Sequence, residues 1–231
     1  GEPEQAALQA SLQLEMRANT YDESSIHPEF KAFFNRQRLQ SPVSLTTDWL
    51  LVGHVDEFVT FLPDLNGGSF AMVLASPKLG LEILQALPAN TPLDARYTFT
   101  YGPQTVGDLW NLTYLQRSFL DFNLDVDAKI FGTDHANPSP ESVKGILKEA
   151  LGITEDQIYE IPVVFGNADA AIWSAVAGSP GMVNLSSMGE FVLVPDPFIP
   201  EFRQAAEDVF TSLGLTTQWI DGWWVYHVGG G

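Results

Sequence analysis

The sequence predicts an α/β protein. Short runs rich in Val, Ile, Phe and Trp alternate with helical segments that begin at Ser/Pro signals and stop at glycine. Hydrophobic residues make up 45% of the 231, and aromatic residues 12%. That suffices for the core of one sizeable domain, or a large part of one, and argues against disorder. No stretch of about twenty apolar residues occurs, so no transmembrane helix is expected.

Taken in order, residues 4–17 carry Ala7, Leu8, Leu12, Leu14 and Met16 among helix formers and predict a first helix. A second helix over 28–39 puts Phe30, Phe33 and Phe34 on one stripe, where they are expected to be core. Residues 43–45, 49–52 and 58–62 read as strands. Asp64-Leu65-Asn66-Gly67-Gly68 is a hairpin signal with Asn-Gly supplying positive φ, and 70–75 returns as a strand. Ser76-Pro77 starts a helix over 77–87. Residues 88–104 are punctuated by proline. Residues 106–122 show Leu109, Leu112, Leu115, Phe119 and Leu120 at helical spacing, with Asp121, Asp125, Asp127 and Asp134 in a loop beyond. The Asp-x-Asp at 125–127 lacks the glycine and terminal glutamate of an EF-hand loop, so a solvated acidic loop is expected. Ser139-Pro140-Glu141-Ser142 is a helix start, the helix runs to Leu151 and ends at Gly152, and 158–165 reads as a strand. A strand pair at 182–185 and 191–194 follows, then a helix from about 200 to 213 ending at Gly214. The last strands are 216–220 and 223–227, turning at Asp221-Gly222. This pattern does not choose among sheet topologies.

Eleven basic residues against 29 acidic ones give a net charge of −18. Such a field repels nucleic acid and anionic membrane and steers basic ligands inward; it also keeps a protein soluble. Cysteine is absent, which excludes a disulfide scaffold and a thiolate metal site within these residues. Gly1-Glu2-Pro3-Glu4-Gln5 does not read as a signal peptide. The sequons at Asn111-Leu112-Thr113 and Asn184-Leu185-Ser186 leave the compartment open between cytoplasm and secretion.

The most informative stretch is Trp49-Leu50-Leu51-Val52-Gly53-His54-Val55-Asp56-Glu57-Phe58. An apolar run breaks at a glycine and delivers a histidine and two carboxylates. On extended backbone His54 and Asp56, two apart, share a face, and Gly53 permits close approach to the backbone. A proton carrier beside a fixed anion suits chemistry on a planar cation rich in hydrogen-bond donors, such as a guanidinium. The alternative is a core histidine paired with an edge carboxylate, since such pairs also serve structure alone.

Ser41-Pro42-Val43-Ser44-Leu45, leading into Asp48 through Glu57, resembles the protein-arginine deiminases, and further blocks follow in the same order. They are Leu147 through Ile153, Ile158, Ile161-Pro162, Gly181-Met182-Val183-Asn184, Val194 through Phe198, Leu213-Gly214-Leu215 and Tyr226-His227-Val228. The resemblance covers roughly residues 40–231 and is weakest from about 88 to 140. It implies the five-bladed α/β-propeller (pentein) fold, with about three blades here. The chain would then be the C-terminal part of a catalytic domain, with residues 1–27 a weakly matched N-terminal segment. It implies hydrolysis of peptidyl arginine to citrulline and ammonia through a covalent thiouronium intermediate. His54 would be the acid/base, Asp56 a carboxylate gripping the guanidinium, and Val52 a residue lining the pocket. It also raises calcium as a ligand, although no metal ligand maps onto these residues.

The expected partner is an arginine-containing peptide or protein. Association with the remaining parts of the domain, or a homodimer, is compatible with the resemblance. The cysteine nucleophile is expected about four residues past Gly231, which favours a piece of an active enzyme over a non-catalytic relative. An extended chain spans at most about 14 Å over four residues, so Gly231 is expected within about 15–20 Å of the His54 ring. Two other readings stand beside this one. One is an acidic module that binds arginine-rich segments. The other is a metal hydrolase using His54 and Asp56, for which His27, His135 and His227 are the only further histidines.

Overall fold

Two three-stranded sheets share one plan, a hairpin whose second strand is joined by a parallel third. The computed structural model describes residues 27–38, 42–168 and 172–228, without the side chains of 98 and 99. The helix expected over 4–17 and the C-terminal glycines lie outside the described residues. The chain divides into two units, Gly1–Ser44 and Leu45–Gly231.

In the first unit, helix α1 (Pro28–Gln37) forms as its pattern predicts but contains no buried residue. Phe30 is 60% exposed, and Phe33 and Phe34 are exposed too. The expectation of core aromatics is therefore overturned. A helical stripe dictates which face is apolar, not that something covers it.

In the second unit, β1 (Val59–Asp64) and β2 (Ser69–Ser76) pair antiparallel from Val59↔Leu74 to Asp64↔Ser69. In the turn, the Asp64 carboxylate accepts from the backbone N–H of Asn66 and Gly67, and Gly68 takes the positive φ of 69°. The signal found the hairpin, but the left-handed residue is Gly68 rather than the Asn-Gly pair. Helix α2 (Pro77–Ala86) begins at the Ser76 cap. Its Gly80 lies against Val163, where an added Cβ would come within 2.2 Å of the carbonyl oxygen; only glycine lets the helix sit that close.

A short helix α3 (Ala95–Tyr101) precedes the segment expected as one helix over 106–122, which is broken into three. They are α4 (Val106–Leu109), a hairpin of β3 (Thr113–Tyr114) and β4 (Arg117–Ser118), and the start of α5 (Phe119–Phe131). Leu115 and Gln116 adopt positive φ (51° and 66°), which ends any helix. Asp121, Asp125 and Asp127 therefore lie on α5, not in a loop.

Helix α6 (Val143–Leu151) starts at the Ser142 cap and stops at left-handed Gly152, as expected. Strand β5 (Ile158–Pro162) joins β2 in parallel, completing the order β1-β2-β5. The short pair β6 (Phe165–Asn167) and β7 (Ala175–Ala177) follows. In the second sheet, β8 (Ser186–Met188) pairs antiparallel with β9 (Phe191–Pro195). The first strand of that pair was expected at 182–185, but Met182 and Val183 are buried in a turn and pairing begins at Ser186. Helix α7 (Pro200–Ser212) then leads to β10 (Thr216–Ile220), which runs parallel to β9.

The closing residues Trp223–His227 form a π-helical turn, not the expected strand. Gly222 carbonyl accepts from both Tyr226 and His227 N–H, at 2.9 and 3.0 Å. Trp223 is fully buried among the rings of Tyr97, Tyr101, Phe198 and His227, whereas Val225 is 89% exposed. Packing one indole into an aromatic box decided the conformation that β propensity alone misjudged.

The core centres on β2, whose last six residues are all buried, with Phe58, Leu62, Leu84, Phe122, Phe131, Phe165 and Phe202 around it. Together these elements make a mixed α/β architecture. Among the described residues, no helix is long and apolar enough to cross a membrane.

Candidate functional site

The turn carrying His54 hangs between two anchors. On one side Trp49 is buried against Phe58 and Phe165 and donates its indole N–H to the Thr46 carbonyl at 2.9 Å. Leu51 N–H donates to the Ala175 carbonyl, and Ala175 N–H to that of Trp49. On the other side Phe58 is fully buried, and its carbonyl accepts from Ala75 in β2. Residues 49–52 are therefore pinned by a single β-bridge, Leu50↔Ala175, and are not the strand that was expected; 43–45 form no strand either.

Between the anchors Gly53 takes φ of 80°, reversing the chain at the glycine singled out from sequence. His54 then caps a 3-10 turn over Val55–Glu57. The extended backbone assumed for His54 and Asp56 is thereby overturned: the pair spans the start of a tight turn, so period-two alternation does not relate them. The turn nonetheless presents them together. His54 and Asp56 are exposed, and both act electrostatically on Glu57. Glu57 closes the turn by accepting from the His54 backbone N–H at 2.9 Å. Burial raises the Glu57 pKa above its ordinary value, opposed by this hydrogen bond and the His54 charge.

The surface around the turn is apolar. Leu51, Val52 and Val55 are all exposed, with Val52 at 43%. Val52 lines neither the open cleft of about 620 Å³ beside Asp48, Trp49 and Trp173 nor a second cavity of about 260 Å³. The π-turn comes into the same neighbourhood. The Tyr226 pKa is raised by burial and by the charges of Asp56 and Glu57, so its phenol lies within electrostatic reach of both. Gly231, expected near His54, is outside the described residues. The stretch Trp219 to Gly231 was expected to approach His54, but Tyr226 itself was not singled out from sequence.

A second histidine–carboxylate cluster went unread. His135 Nε2 lies 2.7 Å from Asp127 Oδ2, and its Nδ1 lies 2.9 Å from Glu160 Oε1. The ring stacks on Phe131 at 3.9 Å, and Asp127 Oδ1 accepts from Lys78 N–H in the first turn of α2. Burial alone would lower the His135 pKa; the hydrogen bonds to Asp127 and Glu160 outweigh it and carry the value to about 9. Buried Lys144 donates to the His135 carbonyl at 2.6 Å and pairs with Glu155. Asp127 and Glu160 lie eight and 25 residues from His135, so no local spacing betrays the cluster.

His227, the remaining histidine of this unit, faces Tyr101 Oη at 2.7 Å, and burial lowers its pKa to about 4. Among the described residues, no group of three or more His, Asp or Glu side chains is arranged to hold a metal ion. The calcium raised by the resemblance thus has no donor set among the described residues.

Comparison with known proteins places the chain. The family model described as protein-arginine deiminase matches residues 15–231. Protein-arginine deiminase type-4 of Mus musculus is 28% identical over 211 residues, covering 88% of this chain and 30% of that protein. The type-1 protein of Homo sapiens is 29% identical over 204 residues, covering 84% and 28%. The type-4 protein of Rattus norvegicus is 31% identical over 214 residues, covering 88% and 30%. The chain thus spans about 30% of the length of these relatives. With the family model matching nearly its whole length, the chain belongs to the protein-arginine deiminase family.

Proposed function

We propose that this chain is part of the catalytic domain of a protein-arginine deiminase, which hydrolyses peptidyl arginine to citrulline and ammonia. The observation that carries the reading is the exposed His54–Asp56 turn, held between buried anchors within the region that matches the family. Asp56 is the anion that grips the guanidinium by charge-assisted hydrogen bonds. A cysteine thiolate, which this chain does not contain, attacks the guanidinium carbon. His54 donates a proton to the departing nitrogen, and ammonia leaves a thiouronium. His54 then takes a proton from water as the oxygen adds to that carbon, releasing citrulline and restoring the thiolate. Val52 lines the approach to the cation. The net charge of −18 favours the arrival of basic substrates.

We read the fold as about three blades of the five-bladed α/β-propeller of guanidine-modifying enzymes. What supports this is the plan common to the β1-β2-β5 and β8-β9-β10 sheets. Residues 1–231 would be a C-terminal part of the domain.

The test is turnover by the chain as it stands. Positioning and charge without a thiol cannot attack the guanidinium, so no citrulline forms from arginine peptides, with or without calcium. The same residues within a longer protein that carries the cysteine do form it. Steady ammonia release from mass-verified, cysteine-free material overturns the mechanism. A second reading, favoured by the −18 charge, is an acidic module for arginine-rich segments. Titration with such peptides alongside an ammonia assay separates the two: tight binding without turnover by the longer, cysteine-bearing protein supports the module.

A further inference from the structure

A second feature of the fold has no part in that chemistry. A cavity of about 260 Å³ opens between the loop after α3, the β3–β4 hairpin and the β6–β7 pair. Leu112, Phe119, Phe165, Val176 and Ile199 form its walls, and among the described residues no charged side chain lines it. In a chain of net charge −18, an uncharged lining selects a neutral occupant. An apolar cavity of about 150 Å³ stays dry and takes benzene, so this one holds a ring with a short substituent.

Three tyrosines line the cavity and differ in their commitments. Tyr97 Oη donates to the Pro197 carbonyl. Tyr101 Oη is engaged with His227 Nε2 at 2.7 Å. Tyr114 packs edge-on against Phe122, and its Oη has no hydrogen-bond partner among the described residues. The phenol oxygen lies beside Gly166 of β6, where an added Cβ would be in ordinary contact with it at 3.4 Å. An O–H with no acceptor in the protein is free to donate to a ligand's acceptor.

We propose that this cavity binds a compact, neutral aromatic carbonyl compound, with the ring against the apolar walls and the carbonyl oxygen accepting from Tyr114. This site is independent of the deiminase reading and stands or falls separately. Trp223 packs edge-on against Tyr97 and Tyr101, at 4.8 and 6.3 Å, and both tyrosines line the cavity. Occupancy therefore shifts indole emission.

The experiment titrates the 231-residue chain with acetophenone and with ethylbenzene, which is one heavy atom smaller and has no acceptor, by calorimetry and fluorescence. Acetophenone is expected to bind with a Kd below about 1 mM, a reasonable efficiency for nine heavy atoms. Tyr114→Phe should weaken acetophenone about five- to tenfold and leave ethylbenzene unchanged. Val176→Phe fills the cavity and should abolish both; if near-UV circular dichroism shows that variant misfolded, Leu112→Trp serves instead. The proposal is overturned if the folded chain shows no saturable binding. Binding that survives a folded filling variant, or acetophenone affinity indifferent to Tyr114→Phe, overturns it equally.

Discussion

His54 and His135 both stand beside two carboxylates, yet the fold treats them in opposite ways. His135 is engaged at both ring nitrogens, stacked on Phe131 and only 18% exposed at its side chain. A neutral imidazole would set one nitrogen lone pair against a carboxylate, so this geometry demands the imidazolium. Its partners come from α5 and β5, and through Asp127 it also reaches the start of α2. It joins three elements and has no nitrogen left to exchange a proton with a ligand. His54 is held by its backbone instead, through Glu57 and Gly53, and its side chain faces solvent. Nearness to carboxylates therefore does not by itself separate the proposed acid/base from a structural histidine; proton exchange needs an uncommitted ring on a fixed backbone.

The largest effect that separates them is on turnover. In a longer protein that carries the cysteine, His54→Ala and Asp56→Asn should each lower citrulline formation by about 10³-fold or more, roughly 4 kcal/mol of barrier. Both residues are exposed, so unfolding free energy should move by less than about 0.5 kcal/mol. Activity retained within about tenfold for either variant removes the role assigned to that residue.

The reverse holds at His135. His135→Ala leaves Asp127 and Glu160 facing each other without the cation and should cost about 3 kcal/mol of stability in denaturant unfolding. A loss below about 1 kcal/mol would show the cluster to be incidental.

A smaller effect follows from pH. The folded pKa of His135, about 9, lies above its ordinary value of 6.5. Its stabilisation is therefore complete below about pH 6.5 and lost as pH rises through about 9. Allowing for partial screening, the window should contain about 2 kcal/mol. His135→Gln carries no titrating proton and should flatten the unfolding curve between pH 6 and 9.5. An unchanged slope would mean that the imidazolium is not what holds α5 to β5.

What the sequence disclosed was local. The Ser76-Pro77 and Ser142 starts, the Gly152 stop and the Asp64–Gly68 hairpin depend on residues within a few positions, and the structure has them as read. The Gly53-His54 break was legible for the same reason. What failed depended on distant partners. Trp223–His227 has strand-forming residues but turns into a π-helix because Trp223 finds a box built from α3 and Phe198. The 106–122 stripe has helical spacing, yet Leu115 and Gln116 fold it into a hairpin. The His135 cluster, assembled from α5 and β5, was invisible in any window.

The smallest effect tests the boundary between the two kinds of site, at Glu57. It lies one residue from Asp56, feels the charge of His54, and also closes the turn. If its role is to hold the backbone, Glu57→Gln should preserve function, because the amide oxygen still accepts from His54 N–H. The folded pKa of Glu57 is raised by burial, so the fold disfavours its ionised form. Lowering pH through the carboxylate range therefore favours the wild-type fold, and at neutral pH the wild type carries an ionisation cost that glutamine lacks. Glu57→Gln should then be neutral or stabilising by less than about 1 kcal/mol at pH 7, an advantage that fades as the pH falls through the carboxylate range. Glu57→Ala, which removes the acceptor, should cost about 1 kcal/mol. Turnover of the glutamine variant should fall by less than about tenfold, far short of Asp56→Asn. If instead it matches the Asp56→Asn loss at unchanged stability, the carboxylate that grips the guanidinium is Glu57, and the roles within the turn must be exchanged.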